Sequence, residues 1–170
     1  MRLQDRIYSY PDFPKKGILF RDYSPLLRDP GALSAAVDGF VAHFGPRGVD
    51  VIAGIEARGF PVATAVATRM GKGMVMVRKA GKLPGKTRSA SYEIEYGSDT
   101  MEIQAGALRE GDRVLICDDL LATGGTAAAA ASLVEASGAT VAGFAIVIEL
   151  EALQGMKKIS KYDVNVLVRY

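Results

Sequence analysis

Apolar and polar positions along the chain follow two spacings in turn, one typical of helices and one typical of strands. Asp29-Pro30 followed by apolar residues at helical spacing up to Phe44 predicts a helix that is capped by Asp29. Helical composition returns at 60–70 and 126–137. β-branched or wholly apolar runs predict strands at 49–53, 73–78, 114–117, 141–150 and 164–168.

Strands that alternate with helices predict an α/β fold, in which a mostly parallel, twisted sheet carries helices on both faces. From Lys79 to Gly97 the chain is instead polar and rich in Gly, Ser and Lys, which predicts a long solvent-facing loop or ribbon. With 170 residues, 49% of them hydrophobic, we expect one domain over 1–170.

Composition narrows the range of partners. Lys and Arg number 21 against 19 Asp and Glu, and the net charge of +2 predicts neither a nucleic-acid nor a membrane-surface partner. The single cysteine, Cys117, excludes an intrachain disulfide and fits a reducing cytoplasm. The N-terminus carries charges where a signal peptide would be apolar, and the longest apolar stretch, 139–150, is shorter than the roughly 20 residues that span a bilayer.

The segment after strand 114–117 has the chemistry of a phosphate and ribose site. A helix begins near the glycines of Ala122-Thr123-Gly124-Gly125-Thr126, so free N–H groups and the helix dipole would favour a phosphate. Asp118 and Asp119, expected at the strand end, could accept hydrogen bonds from ribose hydroxyls or help hold a divalent ion. No lysine follows the glycines as a Walker-type loop requires, and no G-x-G-x-x-G follows a strand.

Val114–Thr126 resembles the phosphoribosyl diphosphate (PRPP) binding motif of type I phosphoribosyltransferases, although that family usually has a β-branched residue in place of Cys117. The resemblance implies that the acids and the following loop bind PRPP through Asp118, Asp119, Ala122, Thr123, Gly124, Gly125 and Thr126.

Segments 13–22, 54–60 and 78–85 are similar to the adenine-specific branch of that family. The first implies a hood over 1–28, in which Phe20 stacks on the purine and the backbone at Leu19 and Arg21 faces the base edge. From the residues alone, packing in the core is the favoured role for Phe20. The second implies a diphosphate loop formed by Glu56, Ala57 and Arg58, which in the family often contains a non-proline cis peptide.

The resemblance also implies roles for the polar segment 79–97 and its neighbour Arg78. Arg78, Lys79 and Lys82 would compensate phosphate charge, in part across the interface of a homodimer. Residues 89–97 resemble a mobile flap, in which Glu95 is the candidate acid or base and Tyr96 lies nearby.

The expected function is therefore transfer of ribose 5-phosphate from PRPP to adenine, which gives AMP in purine salvage. Mg²⁺ would arrive on the diphosphate rather than in a dedicated protein site. His43 and Cys117 are expected to be structural. Two alternatives stay open: a 6-oxopurine phosphoribosyltransferase, although its lysine motif is not found after Glu151, and a non-catalytic PRPP-sensing regulator, which would need an additional DNA-binding domain.

Overall fold

The computed structural model describes residues 2–170. After a 3₁₀ turn at Leu3–Arg6, the strands β1 and β2 form an antiparallel hairpin in which Tyr8 pairs with Asp22. The remaining strands form a second sheet. The strands are β1 (Tyr8–Pro11), β2 (Leu19–Asp22), β3 (Val51–Ile55), β4 (Gly73–Lys79), β5 (Thr87–Ile94), β6 (Gly97–Gln104), β7 (Arg113–Leu121), β8 (Thr140–Glu149) and β9 (Val164–Arg169).

Helices lie between most of the strands, as the alternating pattern predicts. Asp29 caps the long second helix, because its side chain accepts from the N–H groups of Gly31 and Ala32 at 2.9 and 3.1 Å, so this predicted cap is confirmed. The helices are α1 (Ser24–Arg28), α2 (Pro30–Phe44), α3 (Gly59–Met70), α4 (Gly125–Ala136) and α5 (Met156–Ile159), with 3₁₀ turns at Gly45–Arg47 and Glu151–Leu153.

Within residues 2–170 the main sheet has seven strands in the order β5-β6-β4-β3-β7-β8-β9. The five strands from β4 to β9 in this order are parallel, whereas β5 and β6 form an antiparallel hairpin at one edge. One apolar core lies between the sheet and α2 and α3, and a second lies between the sheet and α4. The predicted mostly parallel sheet with helices on both faces is therefore confirmed.

The end of β7 and the β5–β6 hairpin differ from the prediction. β7 was expected to end at Cys117, but it continues to Leu121 because β8 pairs with it as far as Glu149. Asp118 and Asp119 therefore lie within the strand rather than after it. The segment expected to be a loop or ribbon contains all of β5, and β6 was not predicted although Met101 and Ile103 alternate with polar residues and are fully buried.

None of the helices described in residues 2–170 is both long and apolar enough to cross a membrane.

Candidate active site

Two neighbouring cavities open near the carboxyl ends of the parallel strands, where ligands bind in sheets of this kind. The larger, the hood cavity, has a volume of about 760 Å³ and is lined by Tyr10, Pro11, Asp12, Phe13, Phe20, Asp22, Tyr23, Ser24, Leu27, Ala57, Arg58 and Pro61. The smaller, the phosphate cavity, has a volume of about 250 Å³ and is lined by Glu56, Ala57, Arg58, Lys79, Asp118, Asp119, Leu120, Leu121, Ala122, Thr123, Gly124, Thr126 and Ala127. Ala57 and Arg58 line both cavities.

The phosphate loop, residues 122–126, leads from the end of β7 into α4. Gly124 has φ +83°, a left-handed conformation that favours glycine, and it directly precedes the first residue of α4. A Cβ atom at Gly124 would lie 2.5 Å from the carbonyl oxygen of Gly155. Gly125 does not line the cavity, and a Cβ atom added to it would lie 2.8 Å from the ring of Tyr92. The loop therefore presents the amino end of a twelve-residue helix to the cavity, which suits an anion.

Asp118 and Asp119 are both buried at the base of the phosphate cavity. Asp118 Oδ1 accepts from the backbone N–H of Asp119 at 2.9 Å, and Asp119 Oδ2 lies 2.8 Å from Arg58 Nη2. That contact is close enough for an ion pair, but it lacks the geometry of a hydrogen bond, so Asp119 Oδ2 is a buried oxygen without a hydrogen-bond partner among residues 2–170. A ligand hydroxyl could satisfy it.

Burial raises the pKa of the Asp118 carboxyl well above its usual range, and the neighbouring Asp119 carboxylate adds to that rise. The folded state therefore holds a proton that the unfolded chain loses, and stability falls as the pH rises from the unfolded pKa through the raised one. Asp118→Asn removes this cost, so we expect the free energy of unfolding at pH 8 to rise.

Thermal unfolding of both proteins at pH 5 and pH 8 checks this expectation. The gain in Tm should be larger at pH 8. A variant that is less stable than the parent at pH 8 would contradict it.

Arg58 connects the two cavities through four contacts. Its guanidinium lies 4.5 Å from the centre of the Phe20 ring, donates from Nη2 to the carbonyl of Arg21 at 2.7 Å and forms the ion pair with Asp119. Its own carbonyl accepts a hydrogen bond from the hydroxyl of Tyr23. The Glu56–Ala57 peptide bond just before it is cis. Arg58 thus contacts the hood on one side and the acid pair on the other.

Of the three predicted cations, only Lys79 lines the phosphate cavity. Its Nζ forms an ion pair with Asp99 and donates to the hydroxyl of Tyr92 at 3.1 Å. Arg78 is held by Glu56, with 2.6 Å between Nε and Oε1, and donates to the carbonyl of Lys82. The side chains of Arg78 and Lys82 line neither of the two cavities.

Of the three predicted base contacts, only Phe20 lines the hood cavity, where its ring packs edge-on against Phe13 at 5.1 Å. Its half-buried position shows that it is not simply a core residue. Leu19 is exposed, and the Arg21 guanidinium lies 3.8 Å from the centre of the Tyr170 ring. The Arg21 carbonyl, expected to face a base edge, accepts from Arg58.

Glu95 and Tyr96 lie at the tip of the β5–β6 hairpin, exposed and outside both cavities. The structure does not bring Glu95 to the site, and its proposed proton role requires the hairpin tip to close over a bound substrate. The role of Glu95 stays a prediction.

We expect Glu95→Gln to lower kcat by about 10²-fold, the lower end for losing a general acid or base, while PRPP binding is retained. Steady-state kinetics together with PRPP binding would measure both effects. Glu93→Gln is the matched control, because Glu93 is an exposed acid on the same hairpin. Unchanged turnover in Glu95→Gln would mean that Glu95 carries no essential proton.

His43 and Cys117 lie outside both cavities, as expected of structural residues. His43 Nε2 lies 2.9 Å from Asp163 Oδ1, and burial raises the pKa of the Cys117 thiol, which makes it a poor nucleophile.

Sequence reasoning missed Tyr23, Gly155 and the Tyr92–Asp99 pair. Each acts through a neighbour that is distant in sequence: Tyr23 through Arg58, Gly155 through the phosphate loop, and Tyr92 and Asp99 through Lys79. No local pattern marks these partners, although Tyr92 belongs to the predicted flap.

Comparison with known proteins gives matches over most or all of the chain. A model of the family described as phosphoribosyl transferase domain matches residues 38–169. The chain is 61% identical to an adenine phosphoribosyltransferase of Nitrosopumilus maritimus, over 100% of both chains. The crystal structure of such an enzyme from Thermoanaerobacter pseudethanolicus has a TM-score of 0.95 and 46% identity, covering 99% of this chain and 98% of that one.

A structure of the Saccharomyces cerevisiae adenine phosphoribosyltransferase, complexed with adenine and an imino-altritol 1,6-bisphosphate, is also similar. It has a TM-score of 0.92 and 44% identity, with coverage of 97% of this chain and 96% of that one.

Proposed function

The chain belongs to the phosphoribosyltransferase family, among its adenine phosphoribosyltransferases. We propose that it converts adenine and PRPP to AMP and diphosphate in purine salvage, and that its two cavities together form the active site. The observation that carries the proposal is the position of Arg58, which contacts Phe20 and Asp119 at once. A base stacked on Phe20 and a ribose held by the acid pair would meet at this residue.

In this arrangement the phosphate loop binds the 5′-phosphate of PRPP through backbone N–H groups and the hydroxyls of Thr123 and Thr126. The carboxyl oxygens of Asp118 and Asp119 accept hydrogen bonds from the ribose hydroxyls. Glu56, Ala57 and Arg58 face the diphosphate, and Lys79 adds a cation at the same cavity. Adenine occupies the hood cavity against Phe20, and contact of its edge with the backbone of Leu19 and Arg21 would require the Arg21 carbonyl to give up its bond from Arg58.

The reaction forms a bond from a purine nitrogen to C1 of the ribose and breaks the bond from C1 to the diphosphate oxygen, so diphosphate leaves with the electron pair. Positive charge develops on the ribose as that bond breaks. The protein aligns the nitrogen with C1 and stabilises the negative charge of the leaving group with Arg58 and Lys79. The proton released from the purine nitrogen goes to a base, for which Glu95 is our candidate.

Mg²⁺ fits this site as an ion carried by the diphosphate. No cluster of three His, Cys, Asp or Glu side chains within residues 2–170 could hold a metal by itself, whereas the Asp119 carboxylate and the Asp118 carboxyl group line the phosphate cavity. Mg²⁺ commonly binds through one or two carboxylates, substrate phosphates and water. When bound, it would supply positive charge to the departing diphosphate.

We also propose that the protein is a cytoplasmic, one-domain homodimer. The buried, unpaired Cys117 suits a reducing compartment. Lys82 is exposed and lines neither cavity of its own chain, which supports a role at the site of a second copy, with Arg78 beside it.

The proposed activity is tested by incubating the protein with PRPP and Mg²⁺ and, in turn, adenine, hypoxanthine, guanine or xanthine. We expect AMP and diphosphate in equal amounts from adenine and no nucleotide from the other three bases. Nucleotide formed from hypoxanthine or guanine in preference to adenine would identify a 6-oxopurine enzyme. PRPP binding without any product would identify a PRPP sensor.

A further inference from the structure

Tyr23 is a buried tyrosine between the hood and the diphosphate loop, residues 56–58. It follows β2 directly, its carbonyl accepts from the N–H groups of Leu26 and Leu27 in α1, and its side chain is only 3% exposed. The hydroxyl donates a hydrogen bond to the carbonyl of Arg58, 35 positions away in the chain. A residue of the hood is thus bonded to the backbone of the loop that the proposed reaction uses for its leaving group.

The ring and the hydroxyl of Tyr23 have different neighbours. The ring lines the hood cavity, and the Arg58 guanidinium lies 5.7 Å from its centre. The hydroxyl instead contacts the peptide group that ends the diphosphate loop, where α3 begins. Replacing the hydroxyl with hydrogen would therefore leave the cavity wall in place and release only the loop.

The position of the Arg58 backbone matters because its side chain has three other contacts to maintain. The guanidinium reaches Phe20, the Arg21 carbonyl and Asp119, and all three belong to elements other than the diphosphate loop. A small shift of the backbone would move the guanidinium relative to these groups, and misplacement by about 1 Å is enough to cost about 10²-fold in rate.

The geometry assigns Tyr23 as a positioning residue: its hydroxyl fixes the diphosphate loop so that Arg58 can bind PRPP, while its ring serves the base cavity. This role rests on the proposed function of Arg58 in PRPP binding. The binding of PRPP then depends on the Tyr23 hydroxyl, whereas the binding of adenine depends on the Tyr23 ring.

The test compares Tyr23→Phe, Tyr23→Leu and the parent by calorimetric titration with Mg²⁺-PRPP, by steady-state kinetics with both substrates and by thermal unfolding. We expect Tyr23→Phe to raise the PRPP dissociation constant and KM by about tenfold, the size of effect for losing a buried hydrogen bond, with the adenine KM within twofold of the parent. Tyr23→Leu should raise both KM values.

Tyr162→Phe is the matched control, because that hydroxyl donates to Glu135 at 2.6 Å and the residue lines neither cavity. It should cost less stability than Tyr23→Phe, because this bond is exposed to solvent, and leave both substrates unaffected. PRPP binding by Tyr23→Phe within twofold of the parent would overturn the positioning role. So would equal rises in both KM values that follow the loss of Tm, since these would show a structural role alone.

Failure of the inference and failure of the proposed function give different results. PRPP affinity is measured without adenine, so a protein that binds PRPP but makes no AMP would refute the proposed reaction, while a change in that affinity on removing the hydroxyl would still support the positioning role.

Discussion

Replacing Arg58 with alanine is expected to lower kcat/KM for PRPP by about 10³-fold, because truncating one partner of a desolvated charge pair between protein and ligand, here the guanidinium that faces the diphosphate, costs about 2–5 kcal/mol. The change removes the partner of the buried Asp119 carboxylate, the contact with Phe20 and the cation facing the leaving group together. Steady-state kinetics and thermal unfolding would measure the effects on catalysis and stability separately.

Arg58→Lys should recover only part of the loss, since lysine keeps the charge but cannot reach three groups with a planar fork of donors. Arg69→Ala is the control within α3: Arg69 pairs with Asp38 on the surface, both side chains are about half exposed, and such a pair contributes little. If Arg58→Ala retained kcat/KM within tenfold of the parent, Arg58 would not connect the two cavities functionally.

Gly124→Ala is expected to have the second large effect, on the phosphate loop. The new methyl group would lie 2.5 Å from the Gly155 carbonyl oxygen, and the φ of +83° adds strain for any residue with a side chain. The loop must then move, and we expect about 10³-fold lower kcat/KM, from a displacement near 1 Å and the loss of a charge-assisted hydrogen bond to phosphate.

Gly111→Ala separates backbone strain from the steric clash. Gly111 has the same φ of +83°, but its added Cβ atom would meet no neighbour within 4 Å. This control should lose about 1–2 kcal/mol of stability and no activity. Equal activities of the two variants would show that the close approach of Gly155 does not shape the phosphate loop.

The parts of the fold that depend on local pattern were predictable from the sequence. The helix capped by Asp29, the alanine-rich α4 and the apolar strands each show their period within a few residues. The end of β7 was not predictable, because two aspartates look like the end of a buried strand, whereas pairing with β8 continues past them. β6 was missed because a polar, glycine-rich segment precedes its short run of alternating residues.

The candidate site, too, was predictable only where it depends on consecutive residues. The phosphate loop and the strand before it are contiguous in sequence, so their chemistry could be inferred from the thirteen residues 114–126. The bond from Tyr23 to Arg58 and the packing of Gly155 on Gly124 join residues more than 30 positions apart, and neither has a local signal. The alternative of core packing for Phe20 could be decided only by its place in the hood cavity.

The most direct test of the central claim, that the two cavities joined at Arg58 form one active site, is a crystal structure of the protein with adenine and the imino-altritol bisphosphate found with adenine in the yeast complex. Because this compound has no diphosphate leaving group, both ligands would stay intact. We predict the adenine ring on Phe20, one phosphate at residues 122–126 and the other facing Arg58. Adenine bound away from the hood cavity, or a phosphate loop without phosphate, would contradict the claim.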